Sequence, residues 1–150
     1  MGHTDTIGLL VRDGSGRLAV GVATSGAEFA HPGRVGDAPI VGSGFYATAA
    51  GAAAVSGDGD RLLRHLIAGA VVGRLRSGAA VADAAAGVMA EVAAADAGAQ
   101  AAVVAMDAGG QTAASATRGG FVAAVWEGGG VRLREVPAVG GQPAWTHSCR

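Results

Sequence analysis

At 150 residues the chain is long enough for one domain that buries roughly two-thirds of its unfolded surface. Its net charge of -1, 15% charged residues and 4% aromatics supply neither the basic stripe nor the stacking platforms of a nucleic-acid binder. The single cysteine, Cys149, excludes an internal disulfide and a thiolate metal cage.

The segment Met1 to Asp5 lacks the charged and apolar regions of a secretory signal, and no uninterrupted apolar stretch is long enough to span a membrane. The expectation is a soluble, cytoplasmic chain with no membrane partner. All its basic residues are arginine. Glycine, 27 residues against four prolines, provides most of the punctuation. A mean hydropathy of +0.37 points to elements buried on both faces, or to an apolar surface that needs another chain.

Residues 6–12 and 17–24 read as two strands, with Asp13-Gly14-Ser15-Gly16 as a hairpin turn between them. Residues 26–44, rich in glycine and carrying Pro32 and Pro39, read as an ordered loop. The small-residue run 45–56 is ambiguous in period and is read as one or two closely packed strands. A helix is expected over 60–76, with Leu63, Leu66, Ile67, Ala70 and Val71 as its apolar stripe. A second is expected over 80–94, facing inward through Val81, Ala84, Ala85, Val88 and Val92. Strand candidates follow at 99–107, 111–117, 120–126 and 130–136, and the tail beyond Gly141 reads as polar and peripheral. Strands, a helix pair and strands again imply an α+β layered fold, a largely antiparallel sheet covered by helices, in a single domain over 1–150.

Chemistry concentrates in four places. Thr6 opens the first strand. An N-terminal threonine would carry its own base, an α-amine titrating near roughly pH 8, but a β-branched residue at a strand start is ordinary. Thr24 ends the second strand, close enough by antiparallel pairing to hold the Thr6 hydroxyl, or else to satisfy its own backbone. Arg34 and Asp37 lie in the glycine-rich loop, where they form either a clamp for the two charges of an α-amino acid or a solvated ion pair. Ser56 and Gly57 precede a helix start, suited to an oxyanion hole or to plain capping together with Asp58 and Asp60. The four histidines are scattered, and Asp58-Gly59-Asp60 lacks the other ligands of a calcium loop, so neither a metal nor a cofactor is expected.

The segments Thr4-Asp5-Thr6-Ile7-Gly8, Gly21-Val22-Ala23-Thr24-Ser25-Gly26, Pro32-Gly33-Arg34-Val35-Gly36-Asp37 and Ser56-Gly57-Asp58-Gly59-Asp60 together resemble the β subunit of the glycosylasparaginase and plant-type asparaginase family. The resemblance is close over residues 2 to about 76. It implies an N-terminal nucleophile hydrolase with an αββα sandwich, of which this chain would be the β part, with 1–5 as a segment left before cleavage and the α subunit absent. It also implies self-cleavage between Asp5 and Thr6. Thr6 would then be nucleophile and base, Thr24 its support, Arg34 and Asp37 the holders of the substrate's α-carboxylate and α-amine, and Ser56 with Gly57 the oxyanion site. The substrate would be a small asparagine derivative, hydrolysed through a β-aspartyl ester on Thr6. Isoaspartyl peptidase specificity stands as the alternative within the class. In the catalytic reading the chain works with an α partner from a separate or truncated gene; outside the class stands an unprocessed, non-catalytic fragment or self-associating remnant. Ser56 replaces the family's usual threonine, and Thr4 separates His3 from Asp5 where the glycosylasparaginase branch usually joins them.

Overall fold

A computed structural model describes residues 5–127, 129–140 and 146–148. The first hairpin forms as its turn chemistry dictates. Strand β1 (Thr6–Arg12) pairs antiparallel with β2 (Leu18–Thr24), in a register that sets Thr6 opposite Thr24. Asp13 anchors the turn: its Oδ1 accepts from the Ser15 and Arg17 amides, each at 2.9 Å, and Gly16 adopts φ 85°. The Ser15 hydroxyl, which donates to the same oxygen at 2.7 Å, holds the Asp13 carboxyl down to about 2, with the Arg17 side chain and then the amides adding to it.

The run 45–56 resolves into two strands, β3 (Phe45–Thr48) and β4 (Gly51–Gly57). They join β5 (Ala101–Asp107), β6 (Gln111–Ala116) and, at the edge, the backbone of β9 (Thr146–Ser148). The sheet order is β3-β4-β5-β6-β9, every pairing antiparallel. The tail expected to be peripheral thus returns to the sheet at Thr146–Ser148, while the rest beyond residue 140 and the segment Met1 to Thr4 lie outside the described residues.

Two helices cover one face of this sheet. α2 (Ile67–Arg76) and α3 (Val81–Ala95) bury Ile67, Val71, Val72, Val88 and Met89 against Ala53, Val55, Val103 and Ala105. The single helix expected over 60–76 is in fact broken. A short α1 (Gly59–Leu62) and a 3-10 turn at Leu63–His65 precede α2, and Leu66 adopts the left-handed region at φ 47°. The break turns Leu66 out to solvent while Leu62 and Ile67 on either side are fully buried. The apolar stripe therefore runs through Leu62, Ile67, Val71 and Leu75 rather than through Leu63 and Leu66.

The opposite face is covered by hairpins. Gly8 of β1 sits directly over Ala54 of β4, so closely that a β-carbon on Gly8 would lie 2.6 Å from the Ala54 Cβ. Farther along, Ala123 of β7 (Val122–Glu127), which pairs with β8 (Gly130–Glu135), packs with Ala102, Ala114 and Ala116. Helices, central sheet and hairpins form three layers. Burial on both faces explains why Gly51 to Val55 shows no polar alternation.

Candidate active site

The end of the sandwich where β1 begins, β2 ends and β4 runs into α1 opens into a cleft of about 530 Å³, whose lining includes Thr6, Thr24, Arg34, Asp37, Gly57 and Gly59. Antiparallel pairing places two hydroxyls at its floor: the Thr6 hydroxyl donates to Thr24 Oγ1 at 3.0 Å. The same Thr24 oxygen accepts the Gly26 amide at 3.0 Å, which fixes its rotamer from the loop side. Immediately before Thr6, the Asp5 carboxylate accepts a hydrogen bond from the Ser25 hydroxyl, and its pKa is lowered mainly for that reason.

The loop 26–44 brings the charged groups. Arg34 folds over glycine: a β-carbon on Gly36 would lie 2.8 Å from its Nη2, and one on Gly59 would lie 3.0 Å away. Its Nε donates to Asp60 Oδ1 at 2.8 Å. Asp37 is 6% exposed, and its Oδ2 is buried with no hydrogen-bond partner. Burial pushes the Asp37 carboxyl up. Its own and the Ala38 backbone amides, together with the Arg34 charge, oppose that shift, while Asp58 adds to it. The loop closes on itself through the Asp37 carbonyl, which accepts from Ile40 and Gly44 at 3.0 and 3.1 Å, and is tied to β4 by the Val55 amide, which donates to the Gly44 carbonyl at 2.8 Å. A carbon on Gly44 would collide with the Asp37 carbonyl, so glycine is required there.

At the end of β4, Gly57 adopts φ 148°, and a β-carbon there would lie 2.0 Å from the Gln100 carbonyl. Only glycine fits this approach. The next amide, Asp58 N–H, is used by that carbonyl at 2.9 Å. Ser56, half-buried and paired with Ala102, lies one residue behind the cleft lining, on the strand face that Ala54 presents to the first hairpin. Asp58 stands at the start of α1 without a side-chain capping bond. Among the described residues no group of three His, Cys, Asp or Glu side chains could hold a metal ion, and no helix is long and apolar enough to cross a membrane.

The structure therefore gathers Thr6, Thr24, Arg34, Asp37 and Gly57 around one space, with Ser56 behind it. Sequence reading passed over Ser25, which holds Asp5, and the glycines under Arg34; it assigned Asp60 only to the helix terminus. The alternation Gly36-Asp37 and Gly57-Asp58-Gly59-Asp60 was the available signal, since glycine beside acidic groups marks close approach.

A model of the asparaginase family matches residues 1–133. The chain belongs to the asparaginase family. Over 75 residues, 49% of the chain, it is 52% identical to a mouse protein named N(4)-(beta-N-acetylglucosaminyl)-L-asparaginase. Over a stretch of the same length it is 48% identical to an Arabidopsis thaliana protein named as a probable isoaspartyl peptidase/L-asparaginase. An L-asparaginase-like protein of Drosophila persimilis is 47% identical over 89 residues, 59% of the chain. The aligned stretches span 22%, 21% and 20% of these relatives. The chain thus covers about a fifth of the length of the curated relatives it matches. Its mixed helix-and-sheet architecture is compatible with the N-terminal nucleophile hydrolase fold of the asparaginase family.

Proposed function

We propose that this chain carries the nucleophile and the amino-acid clamp of an amidohydrolase acting on the side-chain amide of asparagine derivatives. One observation carries the reading: a single cleft is lined by a threonine hydroxyl supported by a second threonine, by a guanidinium, and by Asp37, a buried residue one of whose carboxylate oxygens has no hydrogen-bond partner. The unpartnered oxygen of Asp37 suits an ammonium group, and Arg34 suits the neighbouring carboxylate. The names of the mouse and Arabidopsis relatives point to the same substrate class.

In this reading, cleavage between Asp5 and Thr6 frees the α-amine of Thr6, which takes the proton from its hydroxyl. The hydroxyl oxygen attacks the side-chain carbonyl carbon, and the negative charge that develops on the carbonyl oxygen meets the Gly57 backbone and the Ser56 hydroxyl. Breaking the carbon–nitrogen bond sends the amine away with the proton and leaves a β-aspartyl ester on Thr6. Water, deprotonated by the same amine, hydrolyses that ester to release aspartate and restore the hydroxyl. Thr24 orients the nucleophile throughout.

A second reading keeps the chain unprocessed and non-catalytic. What favours it is that Ile7, Leu9 and Val11 expose an apolar face on the strand that carries Thr6. In this reading a companion polypeptide, or a second copy, covers that face. The choice between glycan, ammonia and peptide leaving groups belongs to the same proposal, with isoaspartyl peptidase activity as the alternative within the class.

Intact mass after prolonged incubation at neutral pH separates the two. Loss of Met1 to Asp5, followed by amide hydrolysis with an asparagine derivative, supports the enzyme, and Thr6→Ala would abolish both. An unchanged mass with no turnover sinks the catalytic reading for this chain.

A further inference from the structure

Arg34 and Asp37 carry opposite charges three residues apart, and both reach the same point. A β-carbon on Gly59 would lie 2.7 Å from Asp37 Oδ1 and 3.0 Å from Arg34 Nη2. Two such groups at the edge of a partly dry cleft ordinarily collapse onto each other. Here they do not: Arg34 makes its ion pair with Asp60, and Asp37 Oδ2 is left without a partner. Asp60 does not serve as the helix cap either, because it lies inside the single turn of α1 and the N-cap position belongs to Asp58.

We infer that Asp60 is a positioning residue that holds the clamp open: by taking Nε of Arg34 it keeps the guanidinium off Asp37, so that an α-amino acid can insert its carboxylate and ammonium between them. The inference rests on the amino-acid reading of the cleft given above. Its geometry is specific. Nε is the one guanidinium nitrogen that faces back along the side chain, so a partner there leaves the two Nη groups for a ligand. The glycines at 36 and 59 supply the room, since any side chain at either position would occupy the space that the guanidinium uses. Asp60 itself is more than half exposed, so it can hold Arg34 without a large desolvation cost of its own.

Removing the Asp60 charge frees Arg34 to pair with Asp37, and the ligand must then break that pair before it binds. The test uses the intact chain, its Asp60→Asn and Asp60→Glu variants, and L-aspartate as the probe. Calorimetric titration gives affinity, and the Arg34 Nε–H resonance in ¹⁵N NMR reports on the guanidinium without ligand. Asp60→Asn is expected to weaken L-aspartate binding roughly tenfold or more, from the loss of one charge-assisted hydrogen bond. Asp60→Asn should also shift the Nε–H resonance while the backbone spectrum stays dispersed. Asp60→Glu, which keeps the carboxylate, should recover most of the affinity and the resonance position. Equal affinity in wild type and Asp60→Asn, or equal loss in both variants, overturns the inference while the amino-acid cleft stands. Absence of L-aspartate binding by the wild-type chain overturns the cleft reading, and this inference with it.

Discussion

A carboxylate as buried as Asp37, with one oxygen unpartnered, costs the folded state free energy that a ligand can return. The sign follows from its raised pKa. The folded chain holds the Asp37 proton more tightly than the unfolded chain does, so this group's contribution to stability is greatest at low pH. It falls as pH rises from the ordinary aspartate range through the raised value, and the deficit is complete above that. Asp37→Asn removes the charge at nearly constant shape. We expect a higher Tm than wild type at neutral pH, a gain that vanishes as pH falls below the ordinary aspartate range, and a loss of L-aspartate affinity of about tenfold or more. L-aspartate affinity of the wild type should rise with pH across the same window, because only the carboxylate attracts an ammonium. Thermal melts and titrations over a pH series decide it. A variant that is less stable than wild type at neutral pH would show that Asp37 serves the fold rather than the cleft.

At the scale of elements, the contact that seats the first hairpin is between backbone and alanine. Gly8 over Ala54 brings β1 onto β4 more closely than any side chain permits, and this contact sets the position of Thr6 two residues away. Gly8→Ala should cost about 1–3 kcal/mol by overpacking, measured by denaturant unfolding. Adding Ala54→Gly should recover part of that loss, since neighbouring sites couple. An unchanged unfolding midpoint in Gly8→Ala would mean that the hairpin stands off the sheet. The hairpin itself was legible in the sequence, because Asp13-Gly14-Ser15-Gly16 dictates a turn regardless of tertiary context. The inward face of α3 was legible too: Val81, Ala84, Ala85, Val88 and Val92 are all buried. The break at Leu66 was not, because leucine has no local preference for the left-handed region and only the need to bury Leu62 and Ile67 together imposes it. The strand pair in 45–56 was ambiguous because burial on both faces erases alternation. The candidate site residues stood out by type, whereas the bond from Arg34 to Asp60 joins residues 26 apart and depends on the third dimension.

At the scale of the whole molecule, the hairpin layer is apolar on both sides. Its inner side seats on the central sheet. Its outer side exposes Ile7, Leu9 and Val11 on β1, and Val122, Trp126, Val131 and Leu133 on the β7–β8 pair, each between 46% and 74% exposed. Soluble monomers seldom show contiguous apolar patches beyond a few hundred Å². Two-stranded ribbons with bare outer faces are also weak structures by themselves. Taken alone, the chain should therefore associate through this layer. Size-exclusion chromatography with light scattering is expected to give a mass that rises with concentration, together with dye binding typical of exposed apolar surface. Leu9→Arg and Leu133→Arg place charges on the outer faces without touching the buried contacts, so the double variant should return to the monomer mass with its circular dichroism unchanged. A single monomer peak for wild type across the concentration range would mean that the outer faces need no cover. Association that survives both substitutions would place the contact elsewhere and remove the argument for a companion polypeptide on this layer.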